Sequence, residues 1–353
     1  MTQYFPEYDR LKECWVGRAY DSSLVTDTFV KDILDETEED LSNFSQMLRD
    51  LGVEVKRPTY KNPDVTRKPQ LLHARDHLQY LNGKLYIGPR YEDNIADWLE
   101  LLDNRTPFVT LDNLCAPSVV RADRVYFDAV SWTRKRFEYF QHGNPDLPCV
   151  FERLSSRDFN IERHTDGVFC VVKEGVIIST PQGRNLEYLF PEWDILYLDQ
   201  NTQDLNDMSK TKGKFIWSPD QIPDDYRDWV GYSPETFFDV NALAVDEKHF
   251  MCTRYNKQVF DFLKKHKVEP IIVPFRHRYL WDGGVIDDFF TKDTWEKLSQ
   301  ISKYILSDTP NEYLRNSIQK AKETKVGGKV FNIWELIQCG VPEDIVECYW
   351  DAC

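Results

Sequence analysis

The sequence predicts a mixed α/β fold assembled from small repeated modules, and three observations carry that expectation. Short runs with the marks of strands are followed by a stretch of helical periodicity and then by a returning strand. Tight turn signals sit between paired strand-like runs at three separate places. Hydrophobic residues make up 41% of the 353-residue chain, with 10 Trp, 18 Tyr and 21 Phe, which is material enough for a core and argues against disorder.

The first unit reads strand, helix, strand. Lys12–Gly17 is a short run ended by glycine. Phe29, Val30, Ile33, Leu34, Leu41, Phe44, Met47, Leu48 and Leu51 then recur at helical spacing, with Gly52 placed to stop the helix. Val53–Arg57 alternates as a strand does, and Pro58 closes it. The second unit pairs Leu78–Leu81 with Lys84–Gly88 across Asn82-Gly83, a strong hairpin signal because both turn residues must tolerate positive φ. A helical stretch over Asp93–Leu102 and a strand at Pro107–Thr110 complete it.

Two further units follow the same order. Gly167–Val172 and Val176–Ser179 flank Lys173-Glu174-Gly175, and Trp193–Leu198 returns as a strand. Ala242–Val245 and His249–Cys252 flank Asp246-Glu247-Lys248, with a helix near Lys257–His266 and a strand at Pro270–Pro274. The units share a plan without a fixed sequence period, so neither a solenoid nor a single parallel sheet fits. Asn201–Trp229 is polar and reads as an inserted surface loop, and the chain beyond Thr291 reads as mostly helical.

Charge narrows the partners. With 59 Asp and Glu against 44 Lys and Arg, the net charge of −15 opposes nucleic acid or an anionic membrane as the main partner. No apolar run approaches the ~18 residues of a membrane helix, and the first residues lack the basic and apolar regions of a signal peptide, so a cytoplasmic protein is expected. The eight cysteines are scattered without a close pair, as fits reduced core residues better than a disulfide framework or a zinc site. Neither a metal nor a cofactor is expected.

Three places carry residues suited to chemistry. His164-Thr165-Asp166-Gly167 puts an imidazole and a carboxylate before a strand, suited to acid–base work and to holding a cation. Arg75-Asp76 precedes the second unit's hairpin, and Trp281-Asp282-Gly283-Gly284 follows the last strand. Each alone reads as an ordinary turn. Their matching places in successive modules allow them to converge on one pocket.

Those segments resemble a known family. Glu7-Tyr-Asp-Arg-Leu-Lys-Glu-Cys-Trp-Val-Gly-Arg-Ala19, Gly52–Pro58, Ala74–Asp76, His164–Phe169, Val240–Lys248 and Gly283-Gly284 are, in this order, similar to segments of the glycine (arginine:glycine) amidinotransferases and of the wider guanidino-modifying pentein superfamily. The resemblance covers about residues 7–290. It implies an α/β propeller of five ββαβ-like modules around a central site, with residues 1–290 as the amidinotransferase-like domain and residues 291–353 as a C-terminal helical extension packed on it. It also allows a homo-oligomer.

In that family a cysteine thiolate attacks the guanidinium carbon of arginine, and a histidine protonates the leaving amine and then deprotonates the acceptor. By resemblance Asp76 and Asp166 are cation-binding acids and His164 is the acid–base. Arg184 lies one residue from a substrate-carboxylate arginine. Two positions depart from the pattern. Asp287 stands where the family has its nucleophilic cysteine, and Cys115 stands where it has the acid partner of the histidine.

A carboxylate is a poor nucleophile toward a resonance-stabilised guanidinium, so Asp287 suits a cation ligand better than a nucleophile. Two readings follow. One is a protein that binds an arginine-like guanidino or amino cation in an acidic pocket and has lost amidino transfer, a pseudoenzyme. The other is a transferase or hydrolase with altered chemistry, in which Cys115 and His164 form the reacting pair and Asp287 orients them.

Overall fold

The computed structural model describes residues 6–61, 63, 65, 72, 75, 78–81, 84–87, 97–101, 108–110, 116–155, 165–198, 223, 226, 235–252, 255–273, 275–277 and 281. The expected surface loop over Asn201–Trp229, apart from residues 223 and 226, and the expected helical extension of residues 291–353 lie outside the described residues.

Strand β1 (Glu13–Trp15) pairs in parallel with β2 (Glu54–Lys56), and helix α1 (Thr28–Asp50) connects them. Helix α1 starts where the side chain of Asp27 accepts a hydrogen bond from the Val30 N–H at 3.0 Å, satisfying a donor that the first turn leaves unpaired. It ends at Gly52, whose φ of +82° lets the chain reverse so that Val53 N–H reaches the Leu48 carbonyl at 3.0 Å. One face of α1 buries Val30, Ile33, Leu34, Leu41, Phe44 and Leu48. Burial of each such side chain stabilises by roughly 1.5–3 kcal/mol before ordering costs.

Four three-stranded sheets then repeat one plan, an antiparallel hairpin whose second strand pairs in parallel with a third. They are β3 (Leu78–Leu81), β4 (Lys84–Ile87) and β5 (Phe108–Thr110); β6 (Val119–Arg121), β7 (Val125–Asp128) and β8 (Cys149–Glu152); β9 (Phe169–Lys173), β10 (Val176–Ser179) and β11 (Asp194–Tyr197); β12 (Leu243–Ala244), β13 (His249–Cys252) and β14 (Glu269–Ile272). Helical residues 97–99 lie between β4 and β5. Helix α2 (Arg134–Gly143) precedes β8, α3 (Leu186–Leu189) precedes β11, and α5 (Lys257–Lys265) precedes β14. A further helix, α4 (Glu235–Val240), leads into β12.

The sheets share their cores in sequence order. Trp15 of β1 packs with Leu78, Leu85 and Ile87. Leu81 and Tyr86 pack with Val119, Val125 and Phe127. Val120 and Tyr126 pack with Phe169, Val171 and Ile177. Cys170 and Ile178 pack with Ala244, Phe250 and Ile272. Val245, Met251 and Val273 pack back on Val16 and α1. This last contact is fastened by polar bonds: Arg276 Nε donates to Asp40 Oδ1 at 2.9 Å, and the indole N–H of the buried Trp281 donates to Thr37 Oγ1 at 2.9 Å.

Candidate functional site

Strand β7 is buried along its whole length, and its final residue is an acid. Asp128 is fully buried, so every lone pair it brings inside needs a donor. Its Oδ1 accepts from the N–H groups of Val130 at 3.0 Å and Leu154 at 3.2 Å. Its Oδ2 accepts from Ser155 Oγ at 2.5 Å and Thr165 Oγ1 at 2.8 Å. One carboxylate therefore ties the end of β7, the chain leaving β8 and the 3-10 turn Thr165–Gly167 to a single point.

That turn carries Asp166. The Val168 N–H closes it on the Thr165 carbonyl at 2.9 Å, and Val168 is itself held through its carbonyl by Thr180 N–H at 2.8 Å. So fixed, the Asp166 side chain is only 6% exposed. Its Oδ2 faces Arg75 Nε at 3.4 Å, while Oδ1 is buried and accepts no hydrogen bond among the described residues. A buried carboxylate oxygen without a donor is costly, and it marks a place where a cation or donor would be bound favourably.

Arg75 extends this charge pattern. Its Nη2 lies 3.6 Å from Glu7 Oε1, which is 4.0 Å from Arg121 Nε and accepts from the Arg121 backbone N–H at 3.4 Å. Glu7 N–H in turn donates to the Arg121 carbonyl at 2.8 Å, pinning the N-terminal segment to β6. A third acid, Asp239, is buried at the end of α4, which packs on the Thr165–Gly167 turn; it accepts from Asn256 Nδ2 at 2.8 Å.

Of the residues expected to form the site, Asp166 and Arg184 are described. Asp76, Cys115, His164 and Asp287 lie outside the described residues. Asp166 is buried, whereas Arg184 is exposed. Arg184 is still tied to the same anchor, since its N–H donates at 2.9 Å to the carbonyl of Leu154, the residue whose N–H is held by Asp128. The 3-10 turn Ala116–Ser118, which follows Cys115 in the chain, packs against the Thr165–Gly167 turn, which follows His164.

Sequence reasoning passed over Asp128, Glu7, Arg121 and Asp239. Asp128 had a readable signal, an acid closing the apolar run Val125-Tyr126-Phe127. The other three had none, because their relevance comes from distant parts of the chain meeting. Cys14, Cys149 and Cys170 are free. Burial pushes the thiols of Cys14 and Cys149 up to about 12 and raises that of Cys170 as well, so these three are protonated at neutral pH and unsuited to attack. Among the described residues no three metal-ligating side chains cluster.

No family model and no curated protein matches the chain. Solved structures do. An inosamine-phosphate amidinotransferase from Streptomyces griseus matches with a TM-score of 0.57 at 16% identity, over 80% of this chain and 94% of that one. The fold is that of the pentein enzymes. An amidinotransferase of the saxitoxin biosynthetic pathway from Microseira wollei matches with a TM-score of 0.55 at 14% identity, covering 82% of this chain and 94% of the other. A cysteine-to-serine variant of DDAH from Pseudomonas aeruginosa, complexed with citrulline, matches at 0.52 and 12% identity, over 77% and 95%. At such identities the likeness concerns the pentein fold, and activity has to be argued from the residues.

Proposed function

We propose that this protein binds a guanidino or amino cation of arginine-like character in a central acidic pocket, and that the amidino transfer of its structural neighbours has been lost. The observation that carries this reading is the carboxylate of Asp166, buried, held by an Asp128-anchored turn, with Oδ2 beside a guanidinium and Oδ1 unpartnered among the described residues. Charge-assisted hydrogen bonds from a guanidinium are the strong way to satisfy such a group. The five sheets, each sharing a core with the next and the last with the first, support a closed five-module propeller with this carboxylate near its middle.

In this reading Asp76 and Asp287 join Asp166 around the cation, His164 lies beside them, and Arg184 meets the carboxylate of an amino-acid ligand. Residues 1–290 form the propeller and residues 291–353 an appended helical segment. We place the protein in the cytoplasm; among the described residues no helix is long and apolar enough to cross a membrane. Loss of transfer rests on Asp287 in the nucleophile's place, since a carboxylate lacks the thiolate's combination of attack and departure.

A second reading is favoured by one observation, the packing of the turn after Cys115 on the turn after His164. It makes Cys115 the nucleophile of a transferase or hydrolase, with His164 as its base. Incubation with arginine and glycine separates the two. The binding reading expects no ornithine, no guanidinoacetate and no amidino adduct by intact mass, together with saturable calorimetric binding of arginine or agmatine that Asp166→Asn weakens. Formation of those products, abolished in Cys115→Ala, would establish the second reading. Absence of binding by arginine, ornithine and agmatine would defeat the first.

A further inference from the structure

Two turns lie side by side where β9 begins and β10 ends, residues 165–168 and 180–183, and they are fastened to each other at both ends. At one end Phe169 pairs with Ser179 and the Thr180 N–H donates to the Val168 carbonyl at 2.8 Å. At the other, Thr165 Oγ1 and Ser155 Oγ donate to the same Asp128 oxygen at 2.8 and 2.5 Å, and Ser155 pairs with Gly183 in an antiparallel bridge. The antiparallel register, carried past Val168 and Thr180 by two residues, sets Asp166 against Gln182. Each turn brings one acceptor inside. Asp166 Oδ1 and Gln182 Oε1 are both buried, and neither accepts a hydrogen bond among the described residues. A buried oxygen without a donor costs the fold stability, and two of them on facing turns mark a place prepared for a donor from outside the fold.

We propose that Gln182 is a second ligand-binding residue of the site, and that Asp166 Oδ1 and Gln182 Oε1 together receive two N–H groups of one bound cation. The proposal rests on the reading of Asp166 as a cation-binding group. It adds the way in which the cation is held. Asp166 Oδ2 faces Arg75 Nε at 3.4 Å, so the ligand meets this carboxylate through Oδ1 and takes its second acceptor from the neighbouring turn. The ligand group is therefore a nitrogen cation with at least two N–H bonds, bridging a carboxylate oxygen and an amide oxygen. An amide suits the second place, because it accepts a hydrogen bond without setting a second negative charge beside Asp166 in the empty site.

The test is calorimetric titration of the full chain with agmatine, beside thermal unfolding without it, in wild type, Asp166→Asn, Gln182→Met and Gln182→Glu. Methionine keeps the length of glutamine and lacks the acceptor. The proposal expects Gln182→Met to bind agmatine about tenfold more weakly, the loss of one hydrogen bond from a charged donor. It expects the melting temperature of the same ligand-free variant to be unchanged or raised, because a buried acceptor without a donor has been removed. Gln182→Glu keeps the oxygen and should bind agmatine at least as tightly as wild type. A lowered melting temperature or failure to fold in Gln182→Met overturns the proposal, since the amide then serves the fold. Unchanged binding in Gln182→Met, where Asp166→Asn weakens it, overturns the role of Gln182 and leaves Asp166 a cation site. Binding as weak in Gln182→Glu as in Gln182→Met also overturns the proposal. Absence of agmatine binding in wild type, or binding that Asp166→Asn leaves unchanged, overturns the cation-site reading and this inference with it.

Discussion

Thr165 donates its hydroxyl hydrogen to Asp128 Oδ2 across 2.8 Å, joining residues 37 positions apart in a fully buried contact. Through it a strand end fixes the turn that aims Asp166, so the candidate site depends on an acid that faces no ligand.

Asp128→Ala leaves two backbone N–H groups and two hydroxyls without their acceptor. An expected loss of about 3 kcal/mol or more in unfolding free energy follows, since each buried donor left unpaired costs roughly 1–3 kcal/mol. Asp128→Asn retains the shape and one carbonyl oxygen and should lose less. Denaturant unfolding measures both, and a neutral Asp128→Ala would contradict the anchoring role.

Arg276 fastens the end of the described chain to α1. Its backbone N–H donates to Asp40 Oδ2 at 2.8 Å, its Nε to Oδ1 at 2.9 Å, and its Nη2 to the Glu36 carbonyl at 2.8 Å. Asp40 is 4% exposed, so Arg276→Ala strands a buried carboxylate, and a loss of about 3–5 kcal/mol is expected. Arg276→Lys should recover part of it, because an ammonium keeps the charge and loses the fork. Equal stability of Arg276→Ala and wild type in chemical denaturation would refute this account.

Glu36 gives the fold an acid limit. The hydrogen bond with His277, at 2.7 Å, holds its carboxyl below the ordinary value of 4.5, with the charges of His277 and Arg276 adding to the effect against burial. A carboxylate whose folded pKa is depressed contributes stability above its unfolded pKa and loses it as the pH falls through the folded value. Melting temperature should therefore drop on acidification through and below the ordinary carboxylate range, and part of that slope should vanish in Glu36→Gln. An identical slope in the variant would remove Glu36 from the explanation.

Gly183 stands one residue before Arg184 and pairs with Ser155 in an isolated bridge. A Cβ there would collide with Ser179 Oγ and lie 2.8 Å from Leu186 Cδ1. Gly183→Ala should cost about 1–3 kcal/mol by overpacking, and the second substitution Ser179→Gly should restore part of it. Thermal unfolding of the single and double variants decides; full stability of Gly183→Ala would show that the strand edge yields.

Much of the fold was legible locally. The apolar spacing from Val30 to Leu48 with Gly52 behind it marked α1, and the turns at Lys173–Gly175 and Asp246–Lys248 marked two hairpins, all of which the structure contains. Local sequence pattern does not delimit the module from Val119 to Glu152. Strand β6 has only three residues, and α2 buries only Phe137 and Phe140 among its ten, so neither period stands out. The resemblance, not the patterning, supplied the expectation of five modules.

The candidate site divides in the same way. Asp166 could be singled out from the sequence because acid, histidine and strand lie within a few residues. That it is buried, that Arg75 reaches it beside Glu7's contact with the same guanidinium, and that Asp128 holds its turn depend on segments far apart in the chain. The Arg276–Asp40 bond, spanning 236 positions, is the extreme case. Sequence by itself determined four of the modules, the acidic character and the chemistry available, because turns, periodicity and residue type are local properties. Only the tertiary structure decided which charges face one another, because the energy of an ion pair or a buried hydrogen bond depends on distance and solvent exclusion, and neither is set until the sheets share their cores.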